Sequence, residues 1–224
     1  MTATTTKQTP LAPPTVLIVG AGLGGVMLGA LLEKVSTPYT ILKRASTVKP
    51  LGAALSIVGI LLVLFERLQI LDEFVSLAKS YTQSTVENEA GEMLSTTNYV
   101  PFQTLTGYRS YIIARPALYN LLLKQIPAHK IHFGKRVLTV SEDNDDEDKV
   151  HIQTADGATY QGDILIGADG AYSAVRQRLY EKLKAGGTLP KIDEEDLPFS
   201  CTCLVDQTEP LDLEEYPELK VPKV

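Results

Sequence analysis

The chain has 224 residues, 44% hydrophobic and 21% charged, the composition of a folded domain, or of one domain and part of another. A net charge of −6 without any concentrated Lys/Arg run argues against a nucleic-acid partner and gives no strong membrane signal. Cys201 and Cys203, one residue apart, are too few for a disulfide framework, and His129, His132 and His151 show no zinc-ligand spacing. No metal site is expected, and the setting is expected to be intracellular and cytoplasmic.

Residues 1–14, MTATTTKQTPLAPP, are rich in Thr and Pro and read as a disordered lead-in. TVLIV follows as a short, wholly apolar strand of the kind buried in a parallel sheet. The chain turns over Gly20–Gly25, continues as a helix from Val26 to Lys34, is broken at Ser36-Thr37-Pro38, and resumes as the strand YTIL. Strand, glycine turn, helix and strand make a βαβ unit. The uncharged stretch TVLIVGAGLGGVMLGALL also has the look of a membrane span, with GxxxG spacings at Gly20–Gly24 and Gly25–Gly29. Five glycines in eighteen residues weaken that reading, because each lowers helix propensity.

Leu61, Leu64, Phe65, Leu68, Leu71 and Phe74 recur at helical spacing and predict one helix from Ile60 to Leu77. Residues 81–107 are polar and mixed, read as loop with short strands. YRSYIIA reads as a strand, and Pro116 suits the first turn of the helix PALYNLLLKQI. KIHF is a short strand. KRVLTVSE, KVHIQTA and ATYQ alternate apolar and polar residues around turn signals, which predicts an antiparallel meander. The acidic stretch 142–148 between the first two lacks the glycine and terminal Glu of a calcium loop and reads as a solvated hairpin tip. GDILIGADG returns to a buried apolar strand, AYSAVRQRLYEKLKA is a helix, and beyond Gly186-Gly187 only FSCTCLV reads as a good strand.

Two motifs carry chemistry. Gly20-Ala21-Gly22-Leu23-Gly24-Gly25 fits GxGxxG: Gly20 for the tight turn, Gly22 for close approach of backbone to a pyrophosphate, Gly25 for packing helix on strand. Its place between a strand and a helix makes the motif specific. GDILIGADGAYSAVR repeats the strand–turn–helix logic, with Asp169 and Gly170 at the carboxyl end of the strand, where open α/β sheets bind ligands. Asp169 could equally do no more than cap the following helix.

Together VLIVGAGLGG and GDILIGADGAYSAVR resemble the FAD-dependent monooxygenases of the aromatic hydroxylase (p-hydroxybenzoate hydroxylase-like) family. IIARPALYNLLL resembles the family's segment in which an arginine, here Arg115, opens a helix facing the flavin. KPLGAALSI resembles the segment that runs along the flavin site, which implicates Gly52 and Ser56. The resemblance implies an α/β fold: a Rossmann-like FAD-binding domain over 15–186, with a parallel sheet and a β-meander. It implies an enzyme that uses FAD, NAD(P)H and O2 to hydroxylate or epoxidise a small organic substrate. Gly20, Gly22 and Gly25 would cradle the pyrophosphate, Arg115 would contact the flavin side, and Asp169 and Gly170 would help hold FAD. No protein nucleophile is required, so no catalytic residue is named.

Three departures stand out. Lys43 lies 23 residues after Gly20, where the family usually has Glu, and Arg44 follows it. A carboxylate accepts hydrogen bonds from ribose hydroxyls, whereas an ammonium can only donate. Basic residues here would suit a 2′-phosphate instead. Weakened FAD binding is the preferred expectation, with an NADP-dependent reductase or a catalytically inactive FAD-domain remnant as alternatives. In SIVGILLVLF, Val58, Ile60 and Val63 stand where the family often has small polar, Pro or Asn residues. Finally, the resemblance implies truncation before the family's C-terminal half, with 187–224 as the incomplete start of a substrate-domain sheet and the activity of this length alone doubtful.

Overall fold

The computed structural model describes residues 12–47, 54–142, 149–194, 211–212 and 214–217. Residues 1–11 of the lead-in, Gly52, residues 143–148 of the acidic stretch and the expected strand FSCTCLV lie outside the described residues. The chain divides into two compact units, Met1–Thr47 with Ile126–Asp193, and Val48–Gln125 with Glu194–Val224.

The first unit opens with β1 (Val16–Val19), α1 (Leu23–Lys34) and β2 (Tyr39–Leu42). The second unit follows, with β3 (Ala54–Ile57), α2 (Leu62–Arg67), α3 (Leu71–Leu77), β4 (Lys79–Tyr81), β5 (Gln83–Glu87), β6 (Met93–Asn98), α4 (Val100–Thr106), β7 (Ser110–Ala114) and α5 (Arg115–Leu123). The chain then returns to the first unit through β8 (Ile131–His132), β9 (Val137–Glu142), β10 (Val150–Thr154), β11 (Thr159–Gly162), β12 (Ile164–Gly167) and α6 (Ala174–Ala185).

In the first unit β12, β1, β2 and β8 form a parallel sheet in that order, as the βαβ pattern predicts. All four residues of β1 are buried, which is why its sequence is a continuous apolar run rather than an alternating one. One face of the sheet (Leu17, Val19, Leu42) packs with Ile152 of β10, and Val137, Tyr160, Leu165 and Val175 close around them. Against the other face lies α1. A Cβ on Gly29 would stand 2.8 Å from Ile41 Cδ1 and 3.0 Å from Ile126 Cδ1, so the Gly25–Gly29 spacing serves helix-on-sheet packing. Among the described residues no helix is long and apolar enough to cross a membrane. The expected meander is present as β11–β10–β9, antiparallel throughout. β12 differs from the buried strand expected: it lies at the sheet's edge in the described strand order, and Ile164 is 42% exposed.

The second unit holds an antiparallel sheet β3–β7–β4 and a hairpin of β5 with β6. Where one helix was expected over Ile60–Leu77 there is a 3-10 turn (Gly59–Leu61) followed by two helices. The break is a Schellman close: Gln69 takes φ +61°, its N–H bonds to Glu66 O, and Ile70 N–H bonds to Phe65 O. Glycine usually fills such a position; with Gln there, the apolar spacing runs on through the break.

A polar clasp ties α1 to β2 in the first unit. The Glu33 carboxylate accepts from Lys130 Nζ at 2.6 Å and from Tyr39 OH at 2.9 Å, and Lys130 Nζ sits 4.5 Å from the centre of the Tyr39 ring. Lys130 first, then Tyr39, holds the Glu33 carboxyl below its ordinary range. Burial, then Glu33, raises the Tyr39 phenol. A carboxyl with a depressed folded pKa contributes stability that is present above the unfolded pKa and is lost as pH falls through the folded one. Denaturant unfolding followed from about pH 5 down to about pH 3 is therefore expected to lose stability less steeply in Glu33→Gln than in the native chain. Equal slopes would show that the clasp carries no pH-dependent stability.

Candidate functional site

The carboxyl edge of the parallel sheet is finished by backbone hydrogen bonds across neighbouring strands. Gly20 N–H donates to Leu42 O at 2.8 Å, Ala168 N–H to Val19 O at 2.7 Å, and Lys43 N–H to His132 O at 2.8 Å. These bonds place Gly20, Lys43 and the Ala168–Asp169 turn side by side. Gly20, Gly22, Gly25, Lys43, Arg44, Asp169 and Gly170 are thus gathered at one edge of the first unit. Ser56 and Arg115 belong to the second unit, and Gly52 lies outside the described residues.

The glycines divide into two physical kinds. At Gly20, φ is +110° and a Cβ would stand 2.2 Å from Ala168 O and 2.7 Å from Asp169 N. At Gly25 a Cβ would stand 1.9 Å from Gly20 O. Both contacts are backbone on backbone, and the first brings the two sequence motifs together. By contrast, a Cβ on Gly22 or Gly24 would meet nothing within 4 Å among the described residues, and the same holds at Gly170. Gly22 is the N-cap of α1, with no side-chain cap and no acidic residue in the first turn. The first-turn N–H groups of a helix have no intrahelical acceptor, and the helix dipole adds positive potential there.

The two carboxylate oxygens of Asp169 are placed differently. Its Oδ2 accepts from Ala174 N–H, the first residue of α6, at 2.6 Å. The N-cap of that helix is Ser173, whose Oγ accepts from Arg176 N–H at 3.0 Å. Asp169 Oδ1, however, is buried and has no hydrogen-bond partner among the described residues. A buried carboxylate oxygen without a donor is costly. The Ser173 cap was missed in the sequence, although a serine directly before AVRQRL is a recognisable helix start.

Lys43 is held firmly from both sides. Besides its N–H, its carbonyl accepts from Lys135 N–H at 2.8 Å, and Ala45 O accepts from Gly134 N–H at 3.2 Å. The Lys43 side chain is half-buried and Arg44 is exposed. No acidic side chain pairs with Lys43 among the described residues.

In the second unit Ser56, on β3, shares a hydrogen bond between its Oγ and the Tyr81 hydroxyl. Arg115 is the first residue of α5 and is exposed, with Pro116 in the first turn as expected. Val58 and Ile60 are exposed, Ile60 to 68%. Among the described residues no group of three His, Cys, Asp or Glu is placed to hold a metal ion.

The family model described as FAD binding domain matches residues 14–204. An FAD-dependent urate hydroxylase of Mycolicibacterium vanbaalenii is 33% identical over 72% of this chain and 41% of its own length. The FAD-dependent monooxygenase ntnA of a Nectria species is 30% identical over 86% of this chain and 26% of its own length. Among solved structures, Klebsiella pneumoniae HpxO complexed with FAD and uric acid superposes with a TM-score of 0.61 at 26% identity, covering 72% of this chain and 40% of that one. The chain therefore spans from about a quarter to about two fifths of the length of these relatives. With a family match across most of its length and a fold shared with FAD-complexed relatives, the chain belongs to the FAD-binding domain family of flavin-dependent monooxygenases.

Proposed function

We propose that this chain is the FAD-holding part of a flavin-dependent monooxygenase that hydroxylates or epoxidises a small organic substrate. Asp169 Oδ1 carries the reading: a buried acceptor without a donor, in a turn where Gly170 leaves open space. FAD has hydroxyl donors on its ribose and ribityl chain and a doubly charged pyrophosphate, which match this acceptor and the open N-terminus of α1. The chain's atoms would then act by binding and orienting. Gly22 and Gly24 admit the pyrophosphate to the α1 N–H groups, and Gly20 and Gly25 fix the turn. Asp169 accepts from a cofactor hydroxyl beside Gly170, while Ser56, Gly52 and Arg115 serve the flavin side. Once bound and reduced by NAD(P)H, FAD supplies the oxygen-activating chemistry. Lys43 is the one poor fit, because it offers the ribose no acceptor.

Reconstitution tests this. After incubation with FAD or FMN and gel filtration, the chain is expected to retain FAD and to release FMN, which lacks the pyrophosphate and adenosine. Retained FAD is expected to lose its absorbance on anaerobic addition of NADH or NADPH. Equal retention of FMN would count against the pyrophosphate site. Tight NADPH binding with no flavin retained would favour a reductase that uses Lys43 and Arg44 for a 2′-phosphate.

A further inference from the structure

Lys43 stands beside the glycine turn, and its carbonyl accepts from Lys135 N–H at 2.8 Å. Lys135 lies in the connection 133–136, between the two-residue strand β8 and β9. Such a connection fixes its neighbour only as well as it is itself fixed. Two links to the turn between β10 and β11 fix it. Ala155 N–H donates to Arg136 O at 2.8 Å, and Lys135 Nζ pairs with Asp156 Oδ2. That turn is in its own right closed. The buried Thr154 donates from Oγ1 to Asp156 Oδ1 at 2.6 Å and to Ala158 O at 3.0 Å, while Gly157 N–H donates to Thr154 O at 2.9 Å. Lys135 first, then Thr154, holds the Asp156 carboxyl down to about 2, so it is ionised at neutral pH.

Other ion pairs of the first unit stand elsewhere. Lys149 pairs with Asp163, whose Oδ2 also accepts from Thr15 N–H at 2.6 Å, and Lys130 pairs with Glu33 beside Tyr39. Asp163, Thr15 and Tyr39 lie where β12, β1 and β2 begin, at the sheet's amino edge. Among the described residues, Lys135–Asp156 is the ion pair of this unit that is tied to residue 43. Exposed ion pairs add little to stability, so what this one supplies is geometry. We propose that Asp156 is a positioning residue for FAD binding: by anchoring the Lys135 side chain it holds the Lys135 main chain, and with it residue 43, in place against the ribose of FAD. This role rests on the reading that residue 43 faces that ribose. A hydrogen bond to a hydroxyl weakens steeply with distance and angle, and a residue held in place beforehand loses less conformational entropy on binding.

The test measures how far Asp156 controls what residue 43 can do. FAD dissociation constants are taken by fluorescence titration for the native chain and Lys43→Glu, each with and without Asp156→Asn, at a temperature where circular dichroism shows all four folded. The gain from Lys43→Glu, about ten- to a hundredfold with Asp156 present, is expected to shrink to about threefold or less once Asp156→Asn is added. Lys135→Met removes the ammonium and keeps the N–H; it is expected to shrink the gain equally, and it carries the test if Asp156→Asn does not fold. Charge alone would move the gain in opposite directions in these two variants, so equal shrinkage marks positioning and opposite shifts would overturn it. Lys149→Met breaks an ion pair at the amino edge and is expected to leave the gain intact; an equal shrinkage there would assign the effect to general loosening and overturn the proposal. A gain unchanged by Asp156→Asn and Lys135→Met, whatever their melting temperatures, would overturn the role of Asp156 and leave the reading of residue 43 standing. No gain from Lys43→Glu, or no FAD binding by either folded chain, would overturn both.

Discussion

Gly20→Ala is expected to destroy the folded state of the first unit, whereas Gly22→Ala is expected to leave it folded and remove its hold on FAD. The difference follows from what each new methyl would meet. At Gly20 a Cβ would overlap the Ala168 carbonyl at 2.2 Å, on a backbone with φ of +110° that disfavours any side chain. The opposing atoms are main chain at the sheet's edge, where Ala168 N–H is bonded to Val19 O at 2.7 Å, so the clash cannot be relieved by turning a side chain. A loss of about 3 kcal/mol or more is expected, a large share of a typical domain's stability. At Gly22 the backbone has φ −83° and ψ −174°, which alanine adopts freely, and the space beyond is open. The cost there is that of an alanine N-cap, about 1 kcal/mol or less. The methyl would nevertheless occupy the approach to the first-turn N–H groups of α1, and FAD affinity is expected to fall at least about tenfold. Far-UV circular dichroism melts and FAD retention on gel filtration separate the two effects. A folded Gly20→Ala chain, or a Gly22→Ala chain that retains FAD normally, would contradict this division of roles.

Lys43→Glu is expected to strengthen FAD binding about ten- to a hundredfold. Residue 43 stands at the end of β2, beside the glycine turn, with its main chain pinned on both sides by His132 and Lys135. The position is therefore well defined in space, and only the chemistry of the side chain is unusual. Ribose hydroxyls beside a carboxylate donate charge-assisted hydrogen bonds worth about 1.5–3 kcal/mol each, while an ammonium offers no acceptor. Fluorescence titration with FAD and, separately, with NADPH gives the comparison. A higher FAD affinity in Lys43→Glu supports lysine as the weak point of the site. Loss of NADPH binding with no gain for FAD would instead assign Lys43 to a 2′-phosphate.

Much of the first unit was legible in sequence because its signals are local and periodic. A wholly apolar VLIV and a glycine turn specify β1 and α1, and strict alternation specifies the meander of β9, β10 and β11. The second unit was less legible for particular reasons. The α2–α3 break lies at a Gln in left-handed conformation, so no glycine announces it. All six residues of β6, MLSTTN, are exposed, and without a buried face there is little apolar alternation to read. Its turn is nonetheless built from ordinary parts: Asn88 Oδ1 accepts from Ala90 and Glu92 N–H, and Gly91 takes φ +78°. Helix α4 has no buried residue at all, which removes the 3.6-residue signal.

The site was legible as motifs and illegible as atoms. Spacing alone singled out Gly20, Gly22 and Gly25, but not that two of them are closed against backbone and one faces open space. It offered capping and ligand binding as alternatives for Asp169. The two oxygens of that side chain are in fact differently placed, one on Ala174 N–H and the other without a partner among the described residues. Tyr119 lies inside the segment IIARPALYNLLL, but its buried hydroxyl, without a partner among the described residues, is a property of packing rather than of sequence.

The central claim is that FAD is held where the glycine turn and the Asp169–Gly170 turn meet at the carboxyl edge of the parallel sheet. Calorimetric titration of FAD into the native chain, beside Gly22→Ala shown by its melt to be folded, tests it most directly. The expected result is one FAD bound per native chain and strongly reduced binding in the variant. A folded native chain that takes up no FAD, or equal binding by both proteins, would contradict the claim.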